Sequence, residues 1–322
     1  MCTAISWRGK DHYFGRNLDL EHSYKENVVI TPRNYKTQSG KPFPENQYAM
    51  IGMATVVDEY PLYYEATNEW GLSMAGLNFP GNAHYKAPVQ GKENIPSFEL
   101  IPRLLGRCRN IEAATSLLRT AVITEEAFSL QLPPTPLHWL MSDRSRSLVI
   151  EQTADGLHLY EDPVGVLTNN PPFPYHEYNL ANYMALSPEA PVDRLSREIA
   201  LTPYSLGMGA YGLPGDLSSG SRFVRAAFTK LNALPGETEE ESVNQFFHIL
   251  GSVVQTEGCT KTPIGYEKTL YSSCCNTQKG IYYYTTYSNR QITGIQMTEA
   301  AKSAKKLQQF PLRTRPNILM EN

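Results

Sequence analysis

This sequence contains no apolar run near the roughly 18–20 residues that a membrane-crossing helix needs. It has no basic start followed by an apolar stretch, so no secretory leader is expected and the chain reads as cytoplasmic. No C-x-x-C pair occurs, which removes the usual spacing of a zinc site. No G-x-G-x-x-G follows a predicted strand and there is no P-loop, so nucleotide binding has no support. No internal repeat is visible. Positive charge is not in excess: 29 Lys and Arg stand against 32 Asp and Glu, a net charge of −3. That argues against a non-specific nucleic-acid binder. An anionic substrate would need a local basic pocket.

What is present suits a globular protein with a sizeable core. The chain has 322 residues, 41% of them hydrophobic, with mean hydropathy −0.39. It is read as one domain over 1–322. The five cysteines, Cys2, Cys108, Cys259, Cys274 and Cys275, are odd in number and are expected to be reduced thiols. A redox role for Cys274-Cys275 is disfavoured, because adjacent cysteines form strained disulfides. The 20 tyrosines suit either a pocket for an amphipathic ligand or ordinary sheet surfaces.

The stretch richest in chemistry is Met1–Asp19. Thr3–Trp7 and His12–Asn17 read as two strands, with Gly9 in the turn between them. The fold-back carries Arg16 and Asp19 towards Cys2. A residue as small as cysteine in second place normally allows removal of Met1, which would leave Cys2 with a free α-amine beside its own thiol. Reference pKa values are about 8.5 for the thiol and about 7.7–8.0 for the amine. Moving the proton from sulfur to nitrogen therefore costs only about 1 kcal/mol before the protein acts. One cation to favour the thiolate and one carboxylate to hold the ammonium would tip that balance.

Further along, Val28–Ile30, Tyr48–Val57, Tyr63–Asn68 and Leu72–Asn78 read as strands, with loops expected over 34–47 and 79–96. Ser97–Cys108 and Ile111–Ala121, the latter capped by Asn110, have helical spacing. His138–Ser142, Leu148–Gln152, Leu157–Tyr160 and Val164–Thr168 are strands. A helix is expected over Tyr175–Ala185, then an irregular stretch over 186–219, then a helix capped by Ser221 and running to Leu231. Thr238 and Glu241 form a capping-box pattern before Val243–Val254. Tyr271–Thr277, Gly280–Tyr287 and Ile292–Met297 read as antiparallel strands, and the tail from Lys302 as an arm docking on the core or on a neighbour. This alternation of strand and helix blocks suggests stacked layers.

Cys2-Thr3-Ala4 followed by Phe14-Gly15-Arg16-Asn17-Leu18-Asp19 resembles the choloylglycine hydrolase family, within the N-terminal-nucleophile hydrolases. Three further stretches resemble its motifs in the same order: Gly76-Leu77-Asn78-Phe79-Pro80-Gly81, then Gly165-Val166-Leu167-Thr168-Asn169-Asn170-Pro171, then Leu213-Pro214-Gly215-Asp216 with Ser221-Arg222-Phe223. The resemblance implies an α+β fold, a four-layer αββα sandwich of two antiparallel sheets between helical layers. It implies hydrolysis of an amide C–N bond, with Cys2 attacking, an acyl-thioester forming and the α-amine shuttling the proton. It gives Arg16 the role of steadying the thiolate, Asp19 that of binding the α-ammonium and Asn78 that of an oxyanion-hole donor. Asn169 would hold the amine and the substrate, and Arg222 would complete the polar network. No metal or organic cofactor is called for.

Alignment to the family's apolar groove places Leu18, Tyr64, Phe128 and Leu132 against the substrate, and Gly207-Met208-Gly209 near its leaving group. Motifs and loop lengths favour the branch that hydrolyses glycine- or taurine-conjugated bile acids over penicillin V or N-acyl homoserine lactones. A sterol-binding protein with a dead site is the non-enzymatic alternative. Members of the family are commonly homotetramers, and this chain is expected to be one.

Overall fold

The computed structural model describes residues 1–38 and 40–322. The chain opens on a strand hairpin, β1 (Cys2–Arg8) and β2 (His12–Leu20), followed by β3 (Asn27–Thr31), β4 (Met50–Val57), β5 (Tyr60–Asn68) and β6 (Ser73–Asn78). A short strand, β7 (Glu93–Pro96), leads to helices α1 (Leu100–Arg107) and α2 (Ile111–Leu118), and then to β8 (Ala121–Thr124). Next come β9 (Leu137–Ser142), β10 (Ser147–Thr153), β11 (Gly156–Glu161), β12 (Val166–Leu167) and helix α3 (Phe173–Leu180). Two longer helices follow, α4 (Ser219–Asn232) and α5 (Glu239–Gly251), then β13 (Thr260–Thr262), β14 (Gly265–Asn276), β15 (Ile281–Thr286) and β16 (Thr293–Gln296). A turn of helix, α6 (Glu299–Lys302), and β17 (Gln308–Pro311) close the chain.

The strands form two large sheets. One runs in the order β12-β1-β2-β14-β15-β16, with β13 hydrogen-bonded to β14; the other runs β11-β10-β9-β6-β5-β4-β3-β17. Every pairing within them is antiparallel. Side chains alternate across each strand, so each sheet presents two faces. Ala4, Phe14 and Leu18 of the first sheet and Val28, Ile30, Ala75, Leu77, Leu140 and Val149 of the second share one core cluster between the sheets. The alternate residues of the second sheet, Val29, Met74, Trp139, Met141 and Ile150, pack outward on Leu100, Leu104 and Leu105 of α1 and Ile111 and Leu118 of α2. On the far face of the first sheet, Trp7 and Tyr13 meet Phe246 of α5. The layers are therefore helix, sheet, sheet, helix, the αββα sandwich that the resemblance implies.

The strands fall where the sequence places them, but β1, β2, β3, β5, β9, β10, β11 and the start of β14 reach beyond the expected ends, while β4, β6, β12, β15 and β16 stop short of them. Some features differ from the sequence reading. The cap of α4 is Ser218, which accepts a bond from the Ser221 N–H. Ser221 itself lies inside the first turn and donates to Asp216 at 2.5 Å. Helix α3 starts at Phe173, two residues before the expected Tyr175, on the rigid turn set by Pro172 and Pro174. The stretch over 79–96 is not all loop, because β7 pairs in parallel with β8. The tail docks on its own chain, β17 lying along β3, while residues 313–322 are exposed. The loop expected over 34–47 has no helix or strand in its described residues, with residue 39 outside them. Residues 186–219 are irregular, as expected, apart from a single 3-10 turn at Met208–Ala210 and the first residue of α4.

Candidate active site

The first hairpin sets the site. Its register pairs Cys2 with Leu18 and Ala4 with Arg16, so these four side chains share the face that looks towards the second sheet. Cys2 is buried, with 2% of its surface exposed. Arg16 is wholly buried. Its Nη1 donates to the Tyr64 carbonyl at 3.1 Å and the Gly76 carbonyl at 2.6 Å, joining β2 to β5 and β6 across the interior. Its Nη2 is buried with no hydrogen-bond partner among the described residues. Burial alone would lower the affinity of this guanidinium for its proton. The nearby Cys2, Tyr271, Glu65 and Asp19 outweigh that and push the pKa up. Arg16 can reach its place only because Gly15 has no side chain, since a Cβ there would lie 1.9 Å from the Ser273 carbonyl oxygen of β14.

Asn169 and Arg222 reach Cys2 from the other side. The Cys2 N–H donates to Asn169 Oδ1 at 2.8 Å. Arg222 Nη2 donates to the same oxygen at 2.8 Å. Arg222 Nη1 donates to Thr3 Oγ1 at 2.7 Å and to the Cys2 carbonyl, and its Nε to the Leu217 carbonyl at 3.1 Å. Asn169 Nδ2 donates to the main-chain carbonyl of Asn78 at 2.8 Å. A single carboxamide thus ties Cys2, Arg222 and the end of β6 together. The Asn78 side chain is half-buried, and among the described residues its carboxamide makes no hydrogen bond. Asn170, next in the chain, donates to the Pro80 carbonyl at 2.6 Å.

Asp19 lies on the same hairpin, wholly buried. Its Oδ1 accepts from Thr269 Oγ1 at 2.6 Å, and its Oδ2 has no partner among the described residues. Burial pushes its carboxyl upward, opposed by Arg222, the terminal ammonium and the Thr269 hydroxyl. Met1 occupies the adjoining position. Its ammonium donates to the Asp19 carbonyl at 2.9 Å and pairs with Glu267.

Several residues that sequence reasoning passed over hold this cluster in place. His138 of β9 lies between Glu151 Oε1, 3.0 Å from Nδ1, and the Thr168 carbonyl, 2.9 Å from Nε2. Phe79 stacks on its ring at 4.3 Å. His176 Nε2 donates to the Asn169 carbonyl at 2.9 Å, and burial lowers its pKa to about 4. Ser219 Oγ accepts from the Asn169 N–H at 2.8 Å. One signal was available for Glu151: it is a lone charge inside the apolar run Leu148–Gln152, and a buried charge has a partner.

The four residues aligned to the apolar groove separate. Leu18 adjoins Cys2 and is buried. Tyr64, half-buried, packs on the same core cluster and shares a 3.0 Å hydroxyl contact with Thr55. Phe128 packs instead on Tyr60 and Phe98, with Lys41 over its ring, in a satellite cluster. Leu132 closes the tight turn 128–132, accepting from the Phe128 N–H at 3.1 Å. Gly207-Met208-Gly209 lies on the irregular segment, where the Gly209 carbonyl accepts from the Ser187 N–H at 2.9 Å. Cys274 and Cys275 are free thiols within β14, and burial pushes Cys275 up to about 12 and Cys274 well above its usual value.

A buried thiol facing a guanidinium, with carboxamides and a second guanidinium around its main chain, can attack a carbonyl and hold the resulting charge. On this sandwich, such a cluster defines an amidohydrolase of the N-terminal-nucleophile type. Residues 2–307 match the model of linear amide C–N hydrolases, choloylglycine hydrolase family. The chain is 51% identical over 316 residues to the bile salt hydrolase/transferase of Lactiplantibacillus plantarum, covering 98% of each. It is 38% identical over 307 residues to the bile salt hydrolase/transferase of Clostridium perfringens, covering 93% of each. A variant of conjugated bile acid hydrolase from Clostridium perfringens superposes with a TM-score of 0.92 at 35% identity over the whole of both chains. The chain belongs to the choloylglycine hydrolase family. Penicillin V acylase from Agrobacterium tumefaciens shares the fold, with a TM-score of 0.74 at 18% identity over 96% of this chain and 90% of that one.

Proposed function

We propose that this protein hydrolyses the amide bond of glycine- or taurine-conjugated bile acids, using Cys2 as an N-terminal nucleophile after loss of Met1. The observation that carries the reading is the convergence of Arg16, Asn169 and Arg222 on Cys2 at the junction of the two sheets. The freed α-amine takes the Cys2 thiol proton, and Arg16 Nη2, the unpartnered donor, favours the thiolate. The thiolate adds to the substrate carbonyl, and Asn78 donates to the oxyanion. The amine returns its proton to the leaving nitrogen, so glycine or taurine departs and a cholyl thioester remains. Water, deprotonated by the same amine, then releases the bile acid and restores the thiol. Asp19 Oδ2, lacking a partner, is the acceptor for the ammonium form, and Asn169 Oδ1 is a second. Leu18 and Tyr64 supply the apolar wall nearest Cys2, and Phe128 and Leu132 are assigned to the substrate by the family alignment alone.

The relatives named for bile salt hydrolysis favour this substrate over penicillin V and N-acyl homoserine lactones. Two of them are also named transferases, and a thioester is open to any amine that replaces water, so acyl transfer to an added amine is a second reading. The same proposal places the chain, as a single domain, in the cytoplasm, where its five free thiols stay reduced. It also takes the chain to be a homotetramer. The irregular segment before α4 supports this, since Leu206 is fully exposed and Met184, Tyr204 and Tyr211 are about four-fifths exposed. The test is a panel of glycocholate, taurocholate, penicillin V and an N-acyl homoserine lactone, with mass-spectrometric identification of the mature N-terminus. Faster turnover of penicillin V than of both bile salts would overturn the substrate. Adding a second amino acid to the glycocholate reaction and looking for the exchanged conjugate tests the transfer.

A further inference from the structure

Behind Arg16 lies a carboxylate that the chemistry above does not use. Glu65 of β5 is 1% exposed, in the space between the two sheets. It comes from the second sheet, and its partners all come from the first. Tyr271 donates to Oε2 at 2.7 Å, Ser273 donates to Oε1 at 3.0 Å, and Tyr282 donates to Oε1. Arg16 Nη1 lies 3.9 Å from Oε2. Ser273 Oγ also accepts from the Arg16 main-chain N–H at 3.2 Å. The strand neighbours of Glu65 on its own sheet, Met53 and Ala75, are apolar. The charged and titratable groups that face it are therefore Arg16, Tyr271, Tyr282 and, farther off, Cys275. Burial pushes the Glu65 carboxyl upward, and the Arg16 guanidinium with the hydroxyls of Tyr282, Tyr271 and Ser273 oppose that by favouring the anion. Both Cys2 and Glu65 act on the Arg16 charge.

We propose that Glu65 is a positioning residue of this site: it competes with the Cys2 sulfur for the Arg16 guanidinium, and so sets how strongly that cation favours the thiolate. The proposal rests on Cys2 being the nucleophile. Two substitutions push the competition in opposite directions. Glu65→Gln keeps the shape and removes the charge, leaving Arg16 to the sulfur alone. Tyr282→Phe keeps the ring and removes one donor, so the carboxylate leans harder on Arg16 and less of the cation is left for the sulfur.

The experiment follows alkylation of the Cys2 peptide by iodoacetamide across pH, by mass spectrometry, together with kcat, KM and Tm for glycocholate hydrolysis. Glu65→Gln is expected to move the alkylation midpoint down, giving roughly tenfold faster labelling on the acid side. Tyr282→Phe is expected to move it up by a smaller factor, with KM for both variants near that of the parent. Midpoints that stay in place while Tm falls would show Glu65 to be structural only and overturn the proposal. If Glu65→Gln does not fold, an unmoved midpoint in Tyr282→Phe overturns it alone. Cys2→Ala, assayed in parallel, tests the reading beneath: full activity there discards the nucleophile, whereas a dead Cys2→Ala with unmoved midpoints discards only the role of Glu65.

Discussion

Changing Asn169 to aspartate alters one atom of the site and leaves its shape intact. Oδ1 still accepts the 2.8 Å bonds from the Cys2 N–H and Arg222. The other position changes from a donor to an oxygen that faces the Asn78 carbonyl at 2.8 Å. The lost bond is worth about 1 kcal/mol, and the carbonyl left without a donor costs about 1 kcal/mol more at its part-buried position. The added charge lies beside Arg222, which offsets it. Stability is therefore expected to fall by about 2 kcal/mol in urea unfolding. The larger consequence is positional. The end of β6 loses the tie that holds Asn78 beside Cys2, and a displacement of about 1 Å at a reacting centre costs on the order of 100-fold in rate. Assayed by glycine release from glycocholate, Asn169→Asp is expected to lower kcat about 100-fold with KM changed by no more than a few fold. A variant keeping kcat within threefold at unchanged stability would refute the claim that this carboxamide sets the geometry of the site.

Other outcomes follow from the same contacts. Asn78→Ala is expected to cost about 100–1,000-fold in kcat with little change in KM, the signature of a donor used mainly in the transition state, and steady-state kinetics on glycocholate reads this directly. Gly15→Ala would drive a Cβ to within 1.9 Å of the Ser273 carbonyl oxygen; a loss of stability of about 1–3 kcal/mol is expected in urea unfolding, and a neutral result would mean that β2 and β14 are not in this register. His12 and His176 are held neutral by burial, at about 3 and about 4. The unfolded chain binds their protons below about 6.5 and the folded chain does not, so their contribution is fully present above that pH and is lost as pH falls towards 4. The slope reaches about 1.4 kcal/mol per pH unit for each residue, and the urea midpoint of His176→Asn is expected to fall less steeply over pH 6.5–4 than that of the parent.

The sequence made the frame of this site visible, because that frame is local. Thr3–Trp7 and His12–Asn17 read as strands about a turn at Gly9, and a hairpin brings Arg16 towards Cys2 without knowledge of the rest of the chain. Asn78 and Asn169, each at a strand end, and Arg222 near a helix start are likewise local positions, and the family motifs picked them out. What stayed hidden depends on the packing of one sheet on the other. Glu65 looks like an ordinary strand residue until β5 is laid over β14 and β15, and only then do Tyr271, Ser273 and Tyr282 surround it. His138 and Glu151 lie on neighbouring strands of one sheet, yet their purpose emerges from the segment crossing above them, where Thr168 and Phe173 accept and donate. The β7–β8 pair is parallel and four residues long, too short and too distant in sequence to leave a periodic signal. By sequence Ser221 reads as a cap, since Ser218, Ser219 and Ser221 all satisfy the local preference, and the approach of the chain from Asp216 selects Ser218.

The most direct measurement of the central claim is an acid-quenched reaction with glycocholate, followed by intact-mass and peptide mass spectrometry. The account expects a mature chain beginning at Cys2 and one cholyl group in thioester linkage on that residue, accumulating before steady state or trapped at high substrate. Active protein that retains Met1, or turnover with the acyl group on any other residue, would contradict it.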